Sequence, residues 1–351
     1  MSALEFENKS IIGNRGRCEV GEQIGNGSEG VVYQIRSNEE YVVKIFNPEV
    51  REDKVEKLRV MVKEKHRPVD LTFKDRGTRT LIWPEDIVKN PSTDEFLGFR
   101  MKNIGGAESA ISYALTDLSW DRSTEEERMR VARNFAALVE TVHKQGHAIG
   151  DFNDDNVLIK DGYVILIDCD AFHIQADGEV YVGETWYPEN SPPEERPMDL
   201  GAVQKADRFG LGIYIFRFLL EGNHPFVAKG PRAESGTLRE MLLHNPFPYT
   251  IGRSDVQPHD HLKRKYEKLP SGVRSAFERC FDSGKLEPEK RPKAEHWRRT
   301  IERASDLKVE YRRYDEDPKE STIWEGWDIQ RTDRTDVNSR GKDDLWELWN
   351  V

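Results

Sequence analysis

The chain has 351 residues, a formal net charge of -11, 36% hydrophobic residues and 10% aromatic residues. This content can form a large buried core, which excludes a disordered or fibrous protein for most of the length. The negative charge argues against a nucleic-acid-binding protein with a basic surface, and no apolar run is long enough to cross a membrane. Cys18, Cys169 and Cys280 lie far apart in the sequence. We therefore expect a cytoplasmic protein in a reducing compartment, with neither nucleic-acid nor membrane partners.

The first hundred residues have mainly the pattern of strands. The segments CEVGEQI, VVYQI and YVVKIF, between residues 18 and 46, are separated by the turns GNGSEG and SNEE, which predicts an antiparallel meander. The apolar spacing from Asn47 to Lys65 predicts an amphipathic helix. Two further strands are predicted around LIWPEDIV and LGFRMKNI.

The pattern becomes helical after Gly105-Gly106. Ser123 and Glu126 form a predicted capping box before a helix at 129–143. A loop-and-strand region follows, and further helices are predicted near 207–220, 271–281 and 293–304. The predicted domains are 1–104, a β-sheet with one helix; 105–305, mostly helical; and 306–351, an acidic tail.

The tail is polar but rich in tryptophan. Residues 306–351 carry 13 acidic and 8 basic residues together with four of the eight tryptophans. These are Trp324, Trp327, Trp346 and Trp349. The tail is interpreted either as an extension that packs on its own domain or as a segment that docks a partner.

Three glycines between the first two predicted strands indicate a phosphate-binding turn. Gly25, Gly27 and Gly30 form the pattern GxGxxG, which occurs in dinucleotide-binding proteins and in kinases. A dinucleotide site needs a helix directly after the glycines, whereas VVYQI continues here as a strand. The context therefore favours a glycine hairpin over phosphates, with an ordinary hairpin turn as the alternative.

A lysine and a group of carboxylates provide the remaining chemistry. Lys44 lies in an apolar strand, where alternation places it on the same face as Val42 and Phe46. Asp151 is followed by Asn156, and Asp168 ends the apolar run YVILID. Two acids and an amide at neighbouring loop ends suit phosphoryl transfer, which needs a base near the incoming hydroxyl and oxygen ligands for magnesium.

The order of these motifs resembles the protein kinase superfamily over residues 18–305. IWPEDIV, KLRVM, GDFNDDNVLI, DCDAF and PPE are similar to a divergent bacterial Ser/Thr kinase-like group. That group includes kinases associated with tellurite-resistance gene clusters and kinases fused to DNA-binding modules. The resemblance implies an α+β, bilobal protein-kinase-like fold, with a small antiparallel β-sheet N-lobe carrying one main helix and a larger, mostly helical C-lobe.

The resemblance also implies roles for individual residues. Lys44 would bind the α- and β-phosphates of ATP, Asp151 would be the catalytic base, and Asn156 and Asp168 would bind Mg²⁺. Glu56 is preferred over Glu52 as the carboxylate partner of Lys44. The implied nucleotide-binding residues are Gly25, Gly27, Gly30, Val32, Val42, Lys44, Met101, Asn103 and Leu158. The implied structural residues are Glu56, Glu194, Asp207 and Arg291, of which Arg291 would pair with Glu194.

Four positions depart from the usual kinase pattern. Ile149 and Gly150 replace the histidine and arginine before the catalytic aspartate, so no arginine there can grip a phosphorylated activation loop. Asn153 replaces the lysine of serine/threonine kinases, and Cys169 replaces the phenylalanine after the metal-binding aspartate.

The leading interpretation is an ATP- and Mg²⁺-dependent protein kinase for serine or threonine hydroxyls. The alternatives are a kinase-fold small-molecule phosphotransferase, which IGDFNDDN also resembles, and a pseudokinase that only binds nucleotide or partners. The resemblance further suggests a partner phosphatase and a von Willebrand A-domain protein as associates.

Overall fold

The computed structural model describes residues 2–36, 38–68, 79–110, 123–160, 162–252 and 254–305. The tryptophan-containing tail lies outside the described residues, so its two interpretations stay predictions. The described residues form α-helices and antiparallel strands, which confirms the α+β class. They divide into two compact units, one formed by 2–55 and 86–103, the other by 56–85 and 104–305.

The first unit contains a closed antiparallel barrel in place of the expected small sheet. Its strands, in spatial order, are β1 (Ser10–Gly13), β2 (Gly16–Asn26), β3 (Gly30–Ile35), β4 (Tyr41–Phe46), β6 (Phe96–Lys102) and β5 (Asp86–Lys89). The sequence analysis missed β1, which closes the barrel by pairing with both β2 and β5. The Asp86 carboxylate stabilises the turn after β1, because it accepts hydrogen bonds from the backbone N–H groups of Asn14 and Arg15 at 3.1 and 3.0 Å.

Strand alternation assigns the side chains of the barrel to two faces. Val31, Tyr33, Val43 and Ile45 belong to the apolar cluster inside the barrel. Val32 on β3 and Lys44 on β4 alternate with these residues along their strands, so their side chains lie on the opposite face. The sequence predicted this alternation for Lys44.

Helix α1 (Arg51–Met61) is shorter than predicted and follows a turn at Pro48–Val50. Its buried positions include three cations, Arg51, Lys54 and Lys57, which are only 5–6% exposed. The apolar residues Leu58, Val60 and Met61 are buried in its last turns. The buried face of this helix is thus apolar at one end and cationic elsewhere.

The second unit is mainly helical. Its helices are α2 (Glu125–Lys144), α3 (Leu200–Leu219), α4 (Leu238–His244), α5 (Asp260–Lys268), α6 (Ser271–Glu278) and α7 (Ala294–Ser305). Short strands are β7 (Glu108–Ser109), β8 (Val157–Lys160), β9 (Tyr163–Leu166), β10 (Ile174–Ala176) and β11 (Glu179–Tyr181). Helix α2 packs against α3 and α7. Among the described helices, none combines the length and the apolar character that a membrane span requires.

Two helix starts differ from the prediction. Thr124 caps α2 and forms the reciprocal capping box with Glu127, so the predicted Ser123–Glu126 pair was one residue too early. Helix α3 begins at Leu200 after the cap Asp199, whereas the apolar run placed its start near 207. The first turn of α3 contains Gly201 and is partly exposed, and the polar residues Gln204 and Lys205 separate it from the apolar run, so hydrophobic periodicity missed it.

Candidate active site

In the first unit, the predicted nucleotide-binding residues share one face of three neighbouring strands. Val32 on β3 lies opposite Lys44 on β4, and Val42 lies opposite Met101 on β6. All four are buried, with exposures of 4–7%. Asn103 follows β6 and donates from its side chain to the Glu39 carbonyl at 2.9 Å, so its amide holds a turn.

The glycine turn is attached to its surroundings by several contacts. The Glu29 carboxylate pairs with the buried Lys54 ammonium of α1 at 2.6 Å, and the Asn47 amide donates to the Ser28 carbonyl at 3.1 Å. A Cβ at Gly30 would collide with the backbone of Ile45, whereas one at Gly27 would meet nothing closer than 3.7 Å. Gly30 is therefore required by strand packing, and Gly27 leaves room above the turn for a ligand.

The predicted carboxylate partner of Lys44 faces solvent. Glu56 is 64% exposed and pairs with the exposed Arg59 on the same helix. Glu52 is also exposed. Lys44 itself is 6% exposed and its ammonium lies 5.5 Å from the centroid of the Phe46 ring. The role of Glu56 as the partner of Lys44 stays a prediction.

In the second unit, the backbone brings the three predicted loop residues together. Asn156 ends a short helical turn, and its carbonyl accepts a hydrogen bond from the N–H of Ile167 at 3.1 Å. Asp168 follows directly, in a left-handed conformation with φ of 52°. Asp151 lies near enough for the Asp168 charge to raise its pKa. Leu158, the remaining predicted nucleotide contact, is half-buried on β8 opposite Ile165.

Asp151 is a buried carboxylic acid with an altered pKa. It is 7% exposed, and among the described residues its Oδ1 atom has no hydrogen-bond partner. Burial raises the pKa to about 6, and the Asp168 charge acts in the same direction. The nearby Thr185 hydroxyl and Arg196 guanidinium act oppositely. Such a group can accept a proton near neutral pH.

Asp207 on α3 fixes the backbone just before Asp151. Its carboxylate accepts hydrogen bonds from the N–H groups of Ile149 and Gly150 at 2.7 and 2.9 Å, and its Oδ2 lies 2.9 Å from His143 Nε2. Asp207 is 1% exposed. The carboxylate therefore orients the start of the catalytic loop, which we define as residues 151–156.

A histidine occupies the space beside Gly150. Gly150 has a φ of +75°, and a Cβ there would lie 2.7 Å from His173 Cδ2. His173 is buried, and burial lowers its pKa to about 4, so the imidazole is neutral at pH 7. Both backbone conformation and packing thus require glycine where kinases usually carry arginine.

The structure gives a specific role to Asp154, which is not among the predicted site residues. Its carboxylate accepts hydrogen bonds from the Tyr214 hydroxyl at 2.6 Å, the Arg217 guanidinium at 2.9 Å and the Asn190 amide at 2.9 Å. Tyr214 and Arg217 lie on α3. The Asn190 amide also donates to the Phe152 carbonyl at 2.8 Å. These contacts attach the catalytic loop to α3. The one feature of the sequence that could have indicated this contact is Arg217, because an arginine inside an apolar helix needs a polar partner.

The segment around Glu194, which follows the catalytic loop in the chain, is also fixed by a buried cation. Arg291 is 1% exposed and forms two hydrogen bonds with the Glu194 carboxylate, at 2.6 and 2.7 Å. This is the pair that the resemblance implies. Nearby, Arg196 donates to the carbonyls of Gly183 and Glu184. Sequence reasoning missed Arg196, which provides a positive charge near Asp151.

The residues present fit magnesium bound together with phosphates. Among the described residues, no three acidic, histidine or cysteine side chains form a metal-binding cluster. Mg²⁺ in phosphoryl-transfer sites is usually held by one or two carboxylate or amide oxygens together with substrate phosphates. Asn156 and Asp168 offer such oxygens on adjoining backbone segments.

The chain is similar to two bacterial proteins that are named protein kinases. No protein-family model matches the chain. Protein kinase YegI of Escherichia coli K12 is 28% identical over 289 residues, covering 79% of this chain and 43% of that protein. Protein kinase YegI of Escherichia coli O157:H7 is 28% identical over 294 residues, covering 80% of this chain and 44% of that protein. These similarities support a relationship between the chain and a divergent bacterial protein kinase-like group.

The chain spans less than half of the length of the curated relatives that it matches. Their names do not state a substrate or an amino-acid specificity.

Proposed function

We propose that the chain is an ATP- and Mg²⁺-dependent protein kinase that phosphorylates serine or threonine hydroxyls. The observation that carries this proposal is the buried Asp151, with an unpaired Oδ1 and a pKa raised to about 6. A base of this kind accepts the proton of a hydroxyl as that oxygen attacks phosphorus. The proposal extends to cytoplasmic activity, with a phosphatase and a von Willebrand A-domain protein as associates.

In the proposed mechanism, some residues of the chain position the catalytic loop, and others bind the phosphates or the Mg²⁺ that neutralises their charge. Asp207 orients the backbone before Asp151, and Asp154 attaches the loop to α3. Asn156 and Asp168 would hold Mg²⁺, which neutralises phosphate charge when it is bound. Lys44 would bind the non-transferred phosphates, and the turn at Gly25, Gly27 and Gly30 would cover them. The substrate hydroxyl forms the new P–O bond, its proton passes to Asp151, and ADP leaves.

The pair formed by Arg291 and Glu194 favours a protein substrate over a small molecule. It fixes the segment that follows the catalytic loop by a buried bidentate ion pair. A fixed segment of this kind can support an extended peptide. Asn153, in place of the usual lysine, is the feature that favours a small-molecule acceptor instead.

The test is transfer of label from γ-labelled ATP to the chain itself and to a generic protein acceptor. We expect transfer that requires Mg²⁺ and falls by about 10²–10⁴ in Asp168→Asn, because that variant removes a charged magnesium ligand. Asp155→Asn is the matched control, since Asp155 is an exposed acid in the same loop. Label only on small hydroxyl compounds would support the phosphotransferase alternative, and nucleotide binding without transfer would support the pseudokinase.

A further inference from the structure

A cationic cavity lies in the second unit, formed by residues outside the catalytic loop. Its volume is about 360 Å³. Six cationic side chains line it, together with two carboxylates and His296. The cations are Arg208, Arg279, Arg291, Lys293, Arg299 and Arg303. We call this feature the cationic cavity.

The carboxylates at the cavity already have cationic partners. Glu289 pairs with Lys205 at 2.5 Å, and Glu295 pairs with Arg299 at 2.6 Å. Arg291, in turn, is neutralised by Glu194.

Four cations at the cavity remain without a matching carboxylate. Arg208, Arg279, Lys293 and Arg303 form no ion pair within 4.0 Å with any described acidic residue. Arg279 reaches only a backbone carbonyl, that of Lys290 at 3.5 Å. Among the described residues, the positive charge at the cavity therefore exceeds the negative charge.

One side chain at the cavity has an unused hydrogen-bond donor, and some of the cations repel one another. The Nε atom of Arg208 is buried, and among the described residues it has no hydrogen-bond partner. Burial lowers the pKa of Arg208, and the Arg291 charge acts in the same direction, whereas the charges of Glu289 and Asp207 oppose it. Burial and the charges of Arg279 and Arg303 likewise lower the pKa of His296. An anion in the cavity would relieve this repulsion.

We propose that the cationic cavity binds a phosphate monoester dianion. Guanidinium groups bind phosphate oxygens through paired N–H donors, and clustered arginines are typical of phosphate recognition. A phosphate monoester carries about 1.5–2 negative charges at pH 7, so it balances the excess positive charge of the cavity better than a single carboxylate does. A phosphorylated side chain of a peptide and a small phosphate ester share this chemistry. The proposal is independent of the proposed catalytic function.

The test is binding by the full chain without ATP, measured by calorimetry with inorganic phosphate, phenyl phosphate and a phosphoserine peptide. We expect saturable binding that acetate at the same ionic strength does not reproduce. Arg303→Gln should weaken this binding at least about tenfold, because it removes a charged donor that has no ion pair. Arg303 is exposed in the last turn of α7, so this substitution leaves the packing of the helix intact.

Arg264→Gln is the matched control, an exposed arginine on α5 that should bind phosphate like the unmodified chain. Asp151→Asn should also bind normally, which separates this proposal from the kinase activity. Peptide binding at least tenfold tighter than that of phenyl phosphate would assign a phosphorylated side chain, and comparable or weaker peptide binding would assign a small ester. Absence of saturable binding, or equal affinity in Arg303→Gln, would overturn the proposal.

Discussion

The catalytic loop and helix α1 both carry many charged residues, but opposite charges are buried in them. In the loop, Asp151 is buried and Asp154 is held by three donors, while Asp155 is exposed. In α1, Arg51, Lys54 and Lys57 are buried, and the acids Glu52 and Glu56 are exposed. The comparison shows that sequence spacing locates acids at strand ends better than it assigns the faces of a highly charged helix.

The largest effect on stability is expected at Asp154. Asp154→Ala leaves Arg217, whose side chain is 7% exposed, without its carboxylate partner. Because Asp154 is itself partly exposed, we expect the free energy of unfolding to fall by about 2–4 kcal/mol. Asp155→Ala, in the same loop, should change it by less than about 0.5 kcal/mol. Urea denaturation checks both values, and equal losses in the two variants would contradict the role given to Asp154.

Asp151 should instead destabilise the folded chain at neutral and higher pH. Its folded-state pKa of about 6 lies above 3.8, the ordinary pKa of an aspartate side chain, so folding favours its protonated form. The stability associated with this proton is present below pH 3.8 and is lost as the pH rises through about 6. Asp151→Asn should therefore be more stable than the unmodified chain at pH 8, by about 1–3 kcal/mol. Denaturation at pH 4 and pH 8 tests this, and an equal difference at both pH values would contradict it.

The buried cations of α1 should matter more than its exposed ones. Lys54→Gln removes the ion pair with Glu29, in which the side chains are 7% and 21% exposed. We expect a loss of about 1–2 kcal/mol in the free energy of unfolding. Arg59→Gln on the same helix should cost no more than about 0.5 kcal/mol, since its ion pair with Glu56 is exposed. Thermal denaturation of the two variants compares them, and a larger loss in Arg59→Gln would reverse our assignment of the faces of α1.

The smallest effect is expected at Glu56. Because this residue is 64% exposed, Glu56→Gln should alter phosphate transfer by less than about twofold. The rate of label transfer from γ-labelled ATP measures this. A tenfold or larger fall would instead support Glu56 as the carboxylate partner of Lys44.

The parts of the fold that were predicted from sequence are those with strong local periodicity. Strands β2, β3 and β4 alternate clearly around their turns, and the helix predicted at 293–304 corresponds to α7. Strand β1 has only four residues, SIIG, and is stabilised by pairing with β5, which is distant in sequence. Local pattern cannot reveal such a strand, so the barrel closure was not predicted.

The same distinction applies to the candidate site. The sequence analysis selected Asp151, Asn156 and Asp168 by their spacing and by the resemblance, and their roles stay predictions. The contacts of Asp154 with Tyr214 and Arg217, and the packing of His173 against Gly150, join residues that are far apart in sequence or separated by a loop. A lone sequence gives the residue types for such contacts but not the partners.

The most direct test of the central claim is the pH dependence of phosphate transfer from γ-labelled ATP, measured between pH 5 and pH 8 for the unmodified chain and Asp151→Asn. The account predicts that the rate rises with pH around a midpoint of about 6, as Asp151 ionises. It also predicts that Asp151→Asn is slower by about 10²–10⁴ and lacks this rise. Equal rates in the two proteins, with the same pH dependence, would contradict the assignment of Asp151 as the base.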